Sequence, residues 1–220
     1  MNCVKGLIFD LDGVIVDTAK YHYLAWKALA DELNIVFTEM DNERLKGVSR
    51  MKSLEIILEI GNKRMSEEQK EKYCNKKNEA YLEYIYQLRE DEVLPGVKDF
   101  LQEARRKGYK IALGSASKNA NLILSKLNLL SFFHAVIDGT KVEKAKPDPE
   151  VFLLGAEQLG VSEKSCIVFE DAKAGVEAAH NGGMKAVGIG TPENLPNADI
   201  CIPGLNHITI DEILDNIDCV

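Results

Sequence analysis

The stretch Leu7-Ile8-Phe9-Asp10-Leu11-Asp12-Gly13-Val14 sets how the rest of the chain is read. Its leading apolar run is too short for a helix and stops at two acids two positions apart, followed by a glycine that lets the backbone turn. Comparable runs return along the chain: Ile111-Ala112-Leu113 before Gly114-Ser115, Ala135-Val136-Ile137 before Asp138-Gly139, Cys166-Ile167-Val168-Phe169 before Glu170-Asp171, and Ala186-Val187-Gly188-Ile189 before Gly190. Short apolar runs closed by polar or glycine residues predict buried strands. Helical periodicity fills the intervals at 97–107, 119–127, 149–159 and 172–181, with Pro149 at a first turn and Gly108, Gly160 and Gly182 at C-terminal ends. This alternation predicts an α/β core built on a parallel sheet.

Between residues 16 and 92 the alternation stops. Amphipathic patterns at 21–33, 51–60 and 66–88 replace it; Leu54, Ile57 and Leu58 hold i, i+3, i+4 spacing, and Ser66 with Gln69 has the spacing of a capping box. The segment 16–92 is read as a small helical domain inserted after the first strand of a core formed by 1–15 and 93–220. Leu94-Pro95-Gly96 marks the turn back into that core.

The 220 residues hold 27 Lys plus Arg and 35 Asp plus Glu, a formal charge of −8. An acidic balance excludes a general nucleic-acid or anionic-membrane binder, both of which need a basic surface. The cysteines Cys3, Cys74, Cys166, Cys201 and Cys219 are odd in number and widely spaced, so they read as reduced thiols and not as a disulfide framework or zinc site. Lys5, Asp10 and Asp12 interrupt the place where a signal peptide needs its apolar stretch, and no apolar run approaches membrane-span length. The expectation is a cytoplasmic, monomeric protein with no nucleic-acid or membrane partner.

Ligands of an open parallel sheet bind at the carboxyl ends of its strands. Asp10, Asp12, Ser115, Glu170 and Asp171 fall there, with Lys146 in a loop after another strand. Clustered carboxylates repel unless a cation joins them, and an all-oxygen set suits Mg²⁺. A metal among acids beside a lysine is equipment for phosphate: one carboxylate can attack phosphorus while the other manages the proton of the alcohol. Taken alone, Asp-x-Asp-Gly reads equally well as a strand end with two solvated acids.

Four motifs in order, Phe9-Asp10-Leu11-Asp12-Gly13-Val14, Gly114-Ser115-Ala116-Ser117, Lys146-Pro147-Asp148-Pro149 and Phe169-Glu170-Asp171-Ala172-x-x-Gly175, resemble those of the haloacid dehalogenase superfamily. The resemblance implies a Rossmann-like parallel-sheet core with a small all-helical cap. It implies Asp10 as a nucleophile forming an aspartyl-phosphate, Asp12 as general acid and base, and Mg²⁺ held by Asp10, the Asp12 carbonyl, Asp171 and Glu170. Ser115, the Ala116 amide and Lys146 would hold the transferring phosphoryl group. Ala172 departs from the pattern, since a serine often follows the acidic pair.

Within the cap, Asp17-Thr18-x-x-x-His22-x-x-x-Trp26-Lys27-Ala28-Leu29-Ala30, Leu45-Lys46-Gly47-Val48-Ser49-Arg50 and Lys76-Lys77-Asn78, with Ser115-Ala116-Ser117-Lys118-Asn119 in the core, resemble the β-phosphoglucomutase branch of that superfamily. Hexose phosphates are the implied substrates, β-glucose 1-phosphate and glucose 6-phosphate interconverting through the 1,6-bisphosphate. A mutase needs a second cationic site for the phosphate that is not reacting; Arg50 offers a fork matched to phosphate, and Ser117, Lys118 and Asn119 could add donors. Lys46 and Lys77 would suit sugar hydroxyls, Thr18, Gly47, Val48, Ser49 and Ser53 complete the substrate set, and His22 is implied to pair with Asp12 until the cap closes. Plainer readings stand beside these: Arg50 a surface cation, Lys77 on a solvated helix face, His22 a cap or core residue, Trp26 packing, Lys118 a first-turn lysine. A sugar-phosphate phosphatase with the same nucleophile, or a silent binding protein on the same fold, are the alternative functions.

Overall fold

A computed structural model describes residues 4–45 and 48–217. Strand β1 (Gly6–Phe9) is followed by four helices, α1 (Ala19–Glu32), α2 (Glu39–Glu43), α3 (Arg50–Ile60) and α4 (Glu67–Ile85). The chain then runs through α5 (Val97–Arg106), β2 (Lys110–Gly114), α6 (Ala120–Lys126), β3 (Ala135–Ile137), α7 (Glu150–Leu159), β4 (Cys166–Glu170), α8 (Lys173–Asn181), β5 (Lys185–Ile189), β6 (Ile200–Ile202) and α9 (Ile210–Asn216). Two compact units result: Thr18–Leu88, and the residues up to Asp17 together with those from Arg89 on.

The core unit is a six-stranded sheet in the order β3-β2-β1-β4-β5-β6, every pair parallel. Strand β1 lies between β2 and β4, with Gly6 opposite both Lys110 and Cys166. Its Phe9 ring stacks on Phe169 at 4.5 Å and meets Phe100 edge-on, sealing one face under α5. On the other face Ile8, Ala112 and Val168 pack with Phe152 of α7 and Val176 of α8. Helix α7 stops at Gly160, whose φ of +64° suits a glycine cap.

The sequence reading placed the unit boundaries at 15/16 and 92/93. Val16 and Val93 instead bridge each other, and the Leu94 N–H donates to the Ile15 carbonyl at 3.0 Å, so the two crossings are stapled together inside the core unit. Strand β6 and helices α2 and α9 were not expected; at three, five and seven residues they are too short to carry a period. Helix α9 does carry a local signal, a capping box between Thr209 and Glu212.

In the cap unit, α4 begins at the expected capping box of Ser66 and Gln69. Trp26, Leu29, Phe37, Leu54, Ile57 and Cys74 form its core. Cys74, Cys166 and Cys201 are free thiols, while Cys3 and Cys219 lie outside the described residues. Among the described residues no helix is long and apolar enough to cross a membrane.

Candidate active site

Asp10 follows the last residue of β1, and its N–H is tied to the Phe169 carbonyl at 2.9 Å. The loop beyond it closes on itself: Ile15 and Val16 donate to the Leu11 carbonyl, and Gly13 donates to Val16. Gly13 has φ +77°, and a Cβ there would stand 2.1 Å from Asp171 Oδ2. The glycine is therefore required twice, by conformation and by the carboxylate lying against it. This close approach tests the fit of a metal. The carboxylates of Asp10 and Asp171 and the backbone of Asp12 offer hard oxygens, and Mg²⁺ is commonly bound by one or two carboxylates with water and substrate phosphate completing the shell. Among the described residues no three His, Cys, Asp or Glu side chains group around a common point, so such an ion would rely on that mixed set.

Lys146 is the hub of the core unit's polar centre. Its buried ammonium donates to Asp10 Oδ1 at 2.5 Å, to Glu170 Oε1 at 2.6 Å and to the Gly114 carbonyl at 3.2 Å, and lies 4.6 Å over the Phe152 ring. Burial would push this ammonium to lose its proton, but the Asp10 and Glu170 carboxylates overcome that and hold its pKa above the usual lysine value. Glu170, 1% exposed, has both oxygens engaged, since Oε2 accepts from the Ala172 N–H at 2.9 Å. Glu170, expected with Asp171 as a metal ligand, here accepts from the Lys146 ammonium and the Ala172 amide. Burial, then the Asp10 charge opposing the pull of Lys146, leave its carboxyl with a raised pKa. At the departure from the motif, Ala172, the position contributes its amide to Glu170.

The Ser115–Asn119 loop follows β2. Buried Ser115 donates its N–H to the Ile137 carbonyl at 2.9 Å, and its Oγ accepts from the Ser117 N–H at 3.1 Å. The hydroxyl proton of Ser115 is then available to a ligand oxygen. Ser117 Oγ accepts from the Asn119 N–H at 3.2 Å, Ala116 is half-buried, and Lys118 is exposed.

The cap unit gathers a second cluster. Lys77, expected to meet sugar hydroxyls with a solvated helix face as the plainer alternative, is 3% exposed, with Nζ 2.7 Å from His22 Nδ1 and 4.8 and 4.7 Å from the Trp26 and Tyr81 ring centroids. An ammonium can only donate, so His22 Nδ1 accepts and the neutral ring carries its proton on Nε2. Burial first, then the positive charges of Lys77 and Arg50, hold the His22 pKa well below its ordinary value. Arg50, half-buried at the start of α3, donates from Nη2 to Asn78 Oδ1 at 2.8 Å. Thr18 Oγ1 meets the Tyr81 hydroxyl at 3.0 Å, both fully buried. Ser49 caps α3 through the Lys52 N–H, Ser53 donates to the Ser49 carbonyl, and Val48 packs against the cap core, so these three have structural work where they stand. Trp26 is buried in the cap core. Lys46 and Gly47 lie outside the described residues.

Sequence reasoning passed over Tyr81, Phe152 and Asp138. Tyr81 sits four residues after Lys77, on the same helix face. Asp138 follows β3 at the carboxyl end of the sheet, the position that singled out Asp10 and Ser115.

The chain matches a model described as haloacid dehalogenase-like hydrolase over residues 7–189. It is 41% identical over 210 residues to beta-phosphoglucomutase from Bacillus subtilis, covering 94% of this chain and 93% of that protein. The crystal structure of beta-phosphoglucomutase from Clostridium difficile is similar with a TM-score of 0.93 at 41% identity, covering 97% of this chain and 96% of that one. A phosphorylated carbohydrates phosphatase from Thermotoga maritima is 32% identical over 187 residues, 84% of each chain.

Proposed function

The chain belongs to the haloacid dehalogenase-like hydrolase family, and from that premise we propose that it is a phosphomutase interconverting β-glucose 1-phosphate and glucose 6-phosphate. The observation that carries the mutase reading is the extent of the likeness: 41% identity over 94% of the chain, cap included, to a protein of that activity. The 32% identity to a carbohydrate phosphatase over 84% favours a second reading, hydrolysis through the same nucleophile.

Chemically, Asp10 is the nucleophile. Lys146 engages Oδ1, so Oδ2 forms the bond to phosphorus as the bond from phosphorus to the sugar oxygen breaks. Asp12 takes the proton from the attacking sugar hydroxyl and returns one to the departing alkoxide. Lys146, the Ser115 hydroxyl and the loop amides spread the charge that gathers on the phosphoryl oxygens in flight. Bound Mg²⁺, held by Asp10, the Asp12 carbonyl, Asp171 and Glu170, would add positive charge at the phosphoryl group. In the cap, Lys77, with His22 as its acceptor, suits sugar hydroxyls, and the Arg50 guanidinium suits the phosphate that is not reacting. A cytoplasmic monomer completes the proposal.

The test supplies β-glucose 1-phosphate with Mg²⁺ and a trace of the 1,6-bisphosphate, and reads glucose 6-phosphate against inorganic phosphate. Glucose 6-phosphate formation that depends on the bisphosphate and is abolished by a chelator is expected. Release of inorganic phosphate alone selects the phosphatase.

A further inference from the structure

Strand β3 ends in Asp138-Gly139-Thr140, a loop to which the proposed reaction gives no part. It lies against the Ser115–Asn119 loop at successive residues. Ser115 donates to the Ile137 carbonyl at 2.9 Å, Gly139 donates to the Ser117 carbonyl at 3.2 Å, and a Cβ on Gly139 would stand 2.1 Å from the Ala116 oxygen and 2.9 Å from its carbon. Gly139 is absent from the residues of positive φ, so what forbids a side chain there is space and not backbone conformation.

The consequence is directional. A trans peptide sets its C=O and N–H antiparallel. With the Ala116 and Ser117 carbonyls turned toward Gly139, the N–H groups of Ser117 and Lys118 point away from it, and that of Ser117 reaches Ser115 Oγ. The Ser117 amide is thereby spent on setting the Ser115 hydroxyl oxygen, and the Lys118 amide is turned to the side away from Gly139. Buried Asp138 fixes the far end of the loop: Oδ2 accepts from Asn121 Nδ2 at 2.7 Å in the first turn of α6, while Oδ1 accepts from the Thr140 N–H at 2.9 Å and from its hydroxyl. Burial would raise this carboxyl's pKa, but the Thr140 and Asn121 donors hold it below the usual range.

We propose that Asp138 and Gly139 are positioning residues for phosphoryl transfer, fixing the direction of the amides in the Ser115–Asn119 loop. The inference rests on the reading of that loop as the phosphoryl cradle. Since the loop acts on charge that develops in the transition state, disturbing it should lower kcat and leave KM for the sugar phosphate nearly unchanged.

The experiment measures kcat and KM for Gly139→Ala, Asp138→Ala and Asp138→Asn in the full chain, with thermal midpoints alongside and Ser115→Ala as reference. Displacing the Ala116 carbonyl by about 1 Å should cost Gly139→Ala roughly 10- to 100-fold in kcat, with KM within about threefold. Asp138→Ala should lose about tenfold. Asp138→Asn should recover to within about threefold, because its amide still accepts from Thr140 and the Asn121 amide can turn over to complete the pair. If Gly139→Ala does not fold, the Asp138 pair carries the test. Retention of kcat within about twofold in both Gly139→Ala and Asp138→Ala, or a rise in KM alone, overturns the proposal while leaving the cradle reading intact provided Ser115→Ala is impaired. An unimpaired Ser115→Ala overturns the cradle reading and the inference with it.

Discussion

Replacing Gly175 by alanine sets two opposing effects against each other, and the structure decides which wins. Gly175 is the third residue of α8, and exchanging glycine for alanine inside a helix ordinarily gains up to about 1 kcal/mol. Here the new Cβ would stand 1.8 Å from Glu170 Oε1 and 1.9 Å from Cδ, where an unstrained C···O contact needs about 3.3 Å. The carboxylate must retreat by about 1.5 Å, and it is held at both oxygens, by Lys146 at 2.6 Å and the Ala172 N–H at 2.9 Å. Overpacking of this kind costs about 1–3 kcal/mol, and loosening hydrogen bonds to a buried charge adds about 1.5–3 kcal/mol. After the helix gain is subtracted, the net destabilisation is about 1.5–5 kcal/mol, which at about 2–4 °C per kcal/mol lowers the thermal midpoint by roughly 3–20 °C. Gly155→Ala is the matched control. It too is a helical glycine, but its Cβ would meet the tip of Ile8 at 3.3 Å, so its midpoint should stay within about 3 °C of the parent. Melting curves followed by circular dichroism measure both. A Gly175→Ala midpoint at or above that of Gly155→Ala refutes the reasoning. So does strict additivity of Gly175→Ala with Glu170→Ala, because removing the carboxylate should relieve the clash.

Tyr81→Phe deletes the buried partner of Thr18 and should cost about 1–2 kcal/mol in chemical denaturation, non-additively with Thr18→Val. His22, whose pKa is depressed by burial and by Lys77 and Arg50, binds fewer protons folded than unfolded below about pH 6.5. Its contribution is therefore complete above that pH and is lost as pH falls toward the folded value, and His22→Gln should show a smaller drop in midpoint between pH 7 and pH 5 than the parent; equal drops would count against it. Asp10→Asn should fold and lose on the order of 10⁴-fold in turnover, measured as glucose 6-phosphate formed.

The α/β core was legible because every strand beside the site is a short apolar run ending at a polar or glycine residue; three of the four motifs fall where those runs end, and the fourth, around Lys146, lies in the loop between β3 and α7. Lys146 shows the limit of that legibility: its place near Asp10 was foreseeable, whereas its grip on Glu170 depends on Gly175 leaving room, a fact of three dimensions. The burial of Lys77 was hidden for a related reason. A lysine in a polar helix reads as solvated until Trp26 and Tyr81, 51 positions before it and four after it, are seen to close over its ammonium. Elements of three to seven residues, such as β6, α2 and α9, have too little length for periodicity to speak, and only the two helices carry a capping pair that betrays them.

The central place of β1 bears on how the chain is made. Gly6 finds its neighbours at Lys110 and Cys166, the latter 160 residues further on. At about 5–20 residues per second on a ribosome, both edges of the Gly6–Phe9 run are paired only some 8–32 s after it is synthesised. The Thr18–Leu88 unit is complete long before. The strand that carries the nucleophile, although made first, gains its second neighbour only with β4, so a nascent chain has no assembled phosphoryl chemistry until Glu170 has been added.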